Sequence, residues 1–123
     1  MPLLPSVSES NGKKPIPRPT HAKNFNQNIQ SKFDIALRNS DYSEVADLLS
    51  RHTEELDVNL INDEGNTPLQ TAALGGSLEM VRLLVRAGAD PCLASRDGWS
   101  TLHIAAYSGH SEITQYIMVN SRR

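Results

Sequence analysis

The residues best suited to chemistry lie in one short stretch, RDGWSTLHIAAYSGH, which runs from Arg96 to His110. It holds the only tryptophan of the chain, Trp99, and two of its four histidines, His103 and His110. Histidines beside serine and threonine hydroxyls could act in acid–base catalysis or bind a metal ion. Either chemistry needs convergent Cys, His or carboxylate partners, and none is spaced for it in the sequence.

Other catalytic arrangements have no support in the sequence. Cys92, the single cysteine, lacks a matched His or Asn context that would make it a nucleophile. No Gly-rich phosphate loop and no pair of carboxylates spaced for acid–base work is present. We therefore predict a binding protein that is not an enzyme and has no cofactor, no metal ion and no small-molecule substrate.

Length and composition limit the protein to one domain and one broad class. The chain has 123 residues, of which 38% are hydrophobic and 5% aromatic, so an aromatic-rich core is not expected. One cysteine excludes an internal disulfide and suits a reducing compartment. The N-terminal residues do not resemble a signal peptide, and the apolar runs fall far short of the roughly 18 residues of a membrane span. We expect a soluble intracellular protein without membrane contact.

Residues 1–29 are predicted to form a disordered, proline-rich and basic tail. Residues 1–30 carry four basic residues and one acidic residue, whereas the remainder carries eight basic and thirteen acidic residues. The segment KKPIPRP, Lys13 to Pro19, is a nuclear-import or partner-binding segment in one interpretation and a plain solvated tail in the other, which we favour. The acidic remainder predicts no direct contact with nucleic acid.

From about residue 30 the chain repeats itself with a period of 33 residues. GNTPLQTAALGGSLEMVRLLV, from Gly65, aligns with GWSTLHIAAYSGHSEITQYIM, from Gly98. A weaker copy, FDIALRNSDYSEVADLL from Phe33, aligns at an offset of 36, with three extra residues in RHTEEL, residues 51–56. The three predicted units span residues 30–62, 63–95 and 96–120.

Each unit has the residues of a tight turn followed by two helices. Gly65 and Gly98 suit a turn with positive φ, and Thr67 and Ser100 offer hydroxyls that cap the next helix. Pro68 suits the first helical position, where its missing N–H has no cost. Alanines in the first helix and an apolar stripe in the second complete a helix-turn-helix unit.

A 33-residue period with TPL or STLH at fixed phase resembles the ankyrin repeat family. The resemblance implies an all-α ankyrin-repeat solenoid of three helix-turn-helix units, preceded by the disordered tail. It places His103 last in the TPLH-type tetrad, where histidine hydrogen-bonds the turn and where the second unit has Gln70. His110 lies in the turn between helices, where the second unit has Ser77. We therefore predict structural roles for both histidines.

Partner-binding residues are predicted at the turn tip and first helix of the third unit, because ankyrin arrays usually bind through that surface. Trp99 is the predicted anchor, since tryptophan is enriched among interface hot spots. At Ala106 we expect the backbones of the chain and its partner to approach closely. Tyr107 and Arg96 are the other predicted partner-binding residues. In the alternative interpretation, Trp99 packs on the hairpin that contains Asn66.

The end of the third unit has no visible polar cap, although terminal repeats normally carry one. Its second helix contains Ile113, Tyr116, Ile117, Met118 and Val119. Either its polar residues shield this end, or another molecule covers it.

The run CLASRDGWSTLHIAAYSGHSEI and the preceding TPLQ and GGSLEMVRLLVRAGAD are similar to the family of small Notch-regulated ankyrin repeat proteins. The similarity covers about Phe33 to Ile117, and the tail and Gln70 depart from it. It implies a feedback inhibitor of Notch signalling that takes part in transcription regulation. Such a protein binds the Notch intracellular domain with its DNA-bound transcription factor and lengthens the Notch ankyrin stack. We predict nuclear and cytoplasmic localisation.

The alternative function is that of an ankyrin adaptor in another complex, such as a phosphatase-targeting subunit of the myosin-phosphatase type. In that family the repeats follow a docking strand in which an aliphatic residue and a phenylalanine are separated by one residue. SKFD, Ser31 to Asp34, resembles that context. Ile29 and Phe33, however, are separated by three residues, so the docking strand does not fit.

Overall fold

The computed structural model describes residues 22–121, which form six α-helices arranged as three antiparallel pairs. The helices are α1 (Gln27–Arg38), α2 (Tyr42–Arg51), α3 (Pro68–Gly75), α4 (Leu78–Arg86), α5 (Thr101–Tyr107) and α6 (Ser111–Asn120). Within the described range the one β-bridge joins Ala94 and Ser100. The prediction of an all-α solenoid of three helix pairs is confirmed. The predicted disordered tail falls mainly on residues 1–21, outside the described range.

The turns and caps form where the repeat pattern predicts them. Gly65 and Gly98 have φ values of 88° and 90°, which a residue with a side chain rarely adopts. The Thr67 hydroxyl accepts a hydrogen bond from the backbone N–H of Gln70, and the Ser100 hydroxyl accepts the equivalent bond in the third repeat. Pro68 is the first residue of α3. These local interactions define where α3 and α5 begin.

The inner helices α1, α3 and α5 pack side by side, and the outer helices α2, α4 and α6 cover one side of them. Ala72 and Ala73 on α3 are buried, and their small side chains let the inner helices approach each other closely. Leu84 and Ile117 on the outer helices are fully buried at equivalent positions. The result is one continuous, mostly aliphatic core, in which each repeat is stabilised by its neighbours.

Helix α1 begins earlier than the predicted boundary at residue 30. The side chain of Asn26 caps it by accepting hydrogen bonds from the backbone N–H groups of Asn28 and Ile29. Residues 27–29, which the sequence pattern assigns to the tail, therefore form the first turn of α1. The correction has a simple cause, because asparagine is among the best N-cap residues and the repeat alignment gives it no weight.

The segment RHTEEL, which contains the three extra residues, binds the N-terminal segment through hydrogen bonds. The backbone N–H groups of Asn24 and Asn26 donate to the carbonyls of Glu54 and Glu55, at 2.7 and 3.0 Å. Nearby, Glu55 carries a second set of contacts through its carboxylate. One oxygen lies 2.6 Å from Nδ1 of His52, and the other accepts a hydrogen bond from the Asn26 amide. The first repeat is thus joined at its start to the loop that follows α2.

Glu55 makes these contacts between the N-terminal segment and the loop after α2 sensitive to acid. The hydrogen bond with His52 lowers the pKa of Glu55 from its ordinary value of 4.5, and this effect outweighs the opposing effect of burial. The hydrogen bond from Asn26 lowers the pKa further. A lowered folded-state pKa means that ionised Glu55 adds stability above its ordinary pKa. That stability is lost as the pH falls through the folded-state value.

We predict that Glu55→Gln lowers the melting temperature near neutral pH and that the difference from the wild type becomes smaller as the pH falls through the folded-state pKa of Glu55. Thermal melts followed by circular dichroism in a pH series from neutral to acid measure both effects. Glu54→Gln is the control, since it removes the same charge from the neighbouring residue, whose carboxylate accepts a hydrogen bond from the Asn24 amide at 3.3 Å and does not contact His52. An equal loss for both variants, or a Glu55→Gln deficit that does not shrink toward acid, would contradict the assignment.

Candidate partner-binding site

The third repeat presents its site on a hairpin-like turn, residues 93–99, which we call finger 3. Its backbone is closed by hydrogen bonds from Ser95 N–H to the Trp99 carbonyl at 2.7 Å and from Gly98 N–H to the Ser95 carbonyl at 2.9 Å. The corresponding finger 2, residues 60–66, is closed in the same way 33 residues earlier, at Asn62 and Asn66. The main chain therefore holds Trp99 immediately before α5.

Trp99, His103 and Tyr107 form an aromatic row along one side of α5. His103 and Tyr107 stand four residues apart on α5, so they lie on the same side of the helix, and Trp99 lies two residues before the helix begins. The ring centroids of Trp99 and His103 are 6.2 Å apart, and those of Trp99 and Tyr107 are 5.9 Å apart, both in edge-on geometry. Trp99 is 47% exposed and Tyr107 is 83% exposed. These two aromatic contacts of Trp99 lie within its own repeat, and about half of the residue is exposed.

Beside this row lies the C-terminal end face, which we define by His103, Ala106 and Met118. The equivalent residues of the second repeat show what covers such a face inside the stack. Ala73 and Gln70 are each 0% exposed, because the third repeat packs over them. Ala106 and His103 occupy the same positions one repeat later and are exposed. In the described part of the chain nothing covers this face.

All four predicted site residues lie in the third repeat and are exposed. Trp99, Ala106 and Tyr107 lie together on finger 3 and α5. Arg96 is exposed on finger 3, where its backbone N–H donates to the Gly65 carbonyl at 2.7 Å and its guanidinium donates to the Asn62 carbonyl at 3.4 Å. Arg96 therefore links finger 3 to finger 2.

Both histidines of the opening stretch have structural contacts. Nδ1 of His103 lies 2.8 Å from the Ser100 hydroxyl, so the residue closes the turn as predicted. The ring of His110 packs on Gly76, where an added Cβ would lie 2.8 Å from the ring. Between residues 22 and 121 no cluster of three or more His, Cys, Asp or Glu residues is placed to hold a metal ion. None of the helices in that range is long and apolar enough to cross a membrane.

Two parts of the surface were not predicted from the sequence. The repeat pattern assigns His103 to the turn alone, yet its exposed ring belongs to both the aromatic row and the end face. Leu74, the counterpart of Tyr107 in the second repeat, is 49% exposed and lies at the same position on α3. The repeat alignment contains the signal for both, because it pairs His103 with Gln70 and Tyr107 with Leu74.

The Notch-regulated relatives match most of the chain. A frog relative, the Notch-regulated ankyrin repeat-containing protein of Xenopus laevis, is 46% identical over 94 residues, which are 76% of this chain and 82% of that relative. The human protein of the same name is 44% identical over 94 residues, with the same coverage.

A phosphatase subunit is a more distant relative. Protein phosphatase 1 regulatory subunit 27 of Mus musculus is 35% identical over 82 residues, which are 67% of this chain and 52% of that relative. The chain thus spans about half the length of this subunit. The model of the ankyrin repeats family, in three copies, matches residues 33–122. The chain belongs to the ankyrin repeat family and, within it, to the Notch-regulated ankyrin repeat-containing proteins.

Proposed function

We propose that this protein is a non-catalytic regulator, a feedback inhibitor, of Notch signalling. It acts by binding the Notch intracellular domain in the complex with its DNA-bound transcription factor, in the nucleus, with a further pool in the cytoplasm. The similarity to relatives named for their regulation by Notch supports the pathway. The partner-binding site supports the mode of action, because it presents a half-exposed tryptophan and an uncovered repeat surface.

The observation that carries the proposal is the contrast between Ala73 and Ala106. Ala73 is 0% exposed inside the stack, whereas Ala106 is exposed at the same position of the next repeat. A surface built to receive another repeat is complementary to the first repeat of a second ankyrin stack. The ankyrin repeats of Notch are such a stack, so binding at this end lengthens it.

The alternative, docking on a phosphatase, is less compatible with the structure. Phe33 is 0% exposed within α1, and Ile29 of the same helix packs against the core. An extended docking strand through these residues would require α1 to unfold. The similarity to the phosphatase 1 subunit therefore reflects shared ankyrin repeats better than a shared docking strand.

Binding to purified components tests the proposal. We expect the full chain to bind the assembled complex of Notch intracellular domain, transcription factor and DNA in titration calorimetry. Saturating partner should raise the melting temperature of the chain, because a ligand of the folded state stabilises it by mass action. The catalytic subunit of protein phosphatase 1 is titrated in parallel. No binding to the Notch complex, or binding to the phosphatase alone, would overturn the proposal.

A further inference from the structure

Gln70 shows how one repeat holds the next. Its amide oxygen accepts a hydrogen bond from the backbone N–H of Thr67 at 3.0 Å, which fixes the side chain. Its amide nitrogen then donates to the carbonyls of Leu93 and Trp99 in finger 3, at 3.2 and 2.8 Å. Both acceptors are main-chain atoms. Gln70 therefore sets the position of the following finger whatever side chains that finger carries.

His103 occupies the position of Gln70 one repeat later, and Ser100 fixes its ring. The Ser100 oxygen accepts a hydrogen bond from the His103 backbone N–H at 3.2 Å and lies 2.8 Å from Nδ1. The serine hydroxyl has one hydrogen, which is free to point at Nδ1. With Nδ1 as the acceptor of this hydrogen, Nε2 carries the N–H of the ring. Nε2 then corresponds to the amide nitrogen of Gln70, and it has no hydrogen bond within residues 22–121.

We infer that His103 positions the partner. Its Nε2 donates a hydrogen bond to a backbone carbonyl of an ankyrin finger in the Notch stack. The inference rests on the proposed function and adds how the partner is held in register. His103 would fix the incoming finger through its main chain, as Gln70 fixes finger 3. Selectivity for the partner then depends on the neighbouring Trp99 and Ala106, because these residues meet the side chains of the partner and limit how closely it can approach.

Two substitutions at His103 separate hydrogen bonding from shape. His103→Gln introduces the residue that already performs this role in the second repeat, and we expect affinity for the Notch complex within about threefold of the wild type. His103→Leu introduces an apolar side chain of similar bulk, which has no donor and leaves the partner's carbonyl unpaired. We expect it to weaken binding about tenfold. Affinities are measured by calorimetry, and melting temperatures of the free variants by circular dichroism.

The outcomes distinguish this inference from the proposed function. If the wild type and both variants bind equally tightly, the proposed function stands and the role of His103 is overturned. That role is also overturned if His103→Gln is as weak as His103→Leu, or if the loss in His103→Leu matches a fall in its melting temperature. If the wild type itself fails to bind the Notch complex, both proposals fall. A loss in His103→Leu with recovery in His103→Gln supports both.

Discussion

Replacing Ala106 with arginine should abolish binding to the Notch complex, with a loss of affinity of about 100-fold or more. A buried charge without a partner costs about 3 kcal/mol or more in a close-packed interface. The long side chain would also prevent the approach of helices that an alanine allows. The effect should be confined to binding, because Ala106 is exposed in the free protein and an arginine can extend into solvent there. Titration calorimetry of the variant against the assembled complex measures the loss.

Two further alanines serve as controls for this result. Ala87, exposed at the end of α4 in the second repeat, accepts the same change to arginine away from the end face, and Ala87→Arg should bind normally. Ala73→Arg places the charge in the covered counterpart of Ala106 and should unfold the stack. Wild-type affinity for Ala106→Arg would show that the end face is not the docking surface. A fall in the melting temperature of Ala106→Arg large enough to explain its weaker binding would contradict an effect confined to the interface.

Trp99→Ala should weaken binding by about 2 kcal/mol, or about 30-fold, because buried tryptophans are frequent interface hot spots. Finger 3 should keep its shape without the indole ring. Its closing hydrogen bonds use the main chain, as does the bond from Gln70 to the Trp99 carbonyl at 2.8 Å. The melting temperature should therefore fall little, since the residue is 47% exposed and its ring contacts are with two exposed side chains of the same helix.

Tyr42→Ala provides the matched comparison for Trp99→Ala. Tyr42 is 44% exposed, nearly as much as Trp99, but it begins α2 in the first repeat, far from finger 3 in the order of the stack. We expect its removal to leave the affinity unchanged. If both variants bind alike, or if the weakening in Trp99→Ala follows wholly from unfolding, Trp99 is a structural residue and not the anchor of the interface.

Local sequence patterns predicted most of the helix framework. The 33-residue period located the helix pairs, and Thr67 and Ser100 marked where the inner helices of the second and third repeats begin. Such features depend on residues close in sequence, because a cap or a tight turn is completed within a few positions. The start of α1 was missed by three residues, since its cap, Asn26, lies outside the repeated pattern.

Contacts between distant residues were beyond the reach of those patterns. The joining of the N-terminal segment to Glu54 and Glu55 depends on residues about thirty positions apart. The hydrogen bonds from Arg96 to finger 2 are of the same kind, because they join residues more than thirty positions apart.

The sequence by itself determined the repeat, its caps and glycines, and the expectation of a binding protein. It placed Ala106 at a partner-binding surface but did not determine the burial of each member of an equivalent pair. Ala73 and Ala106 are the same residue in the same phase, but one is covered by α5 and the other is exposed. The tertiary structure alone decided this, because burial depends on what packs against a repeat and not on the residues within it.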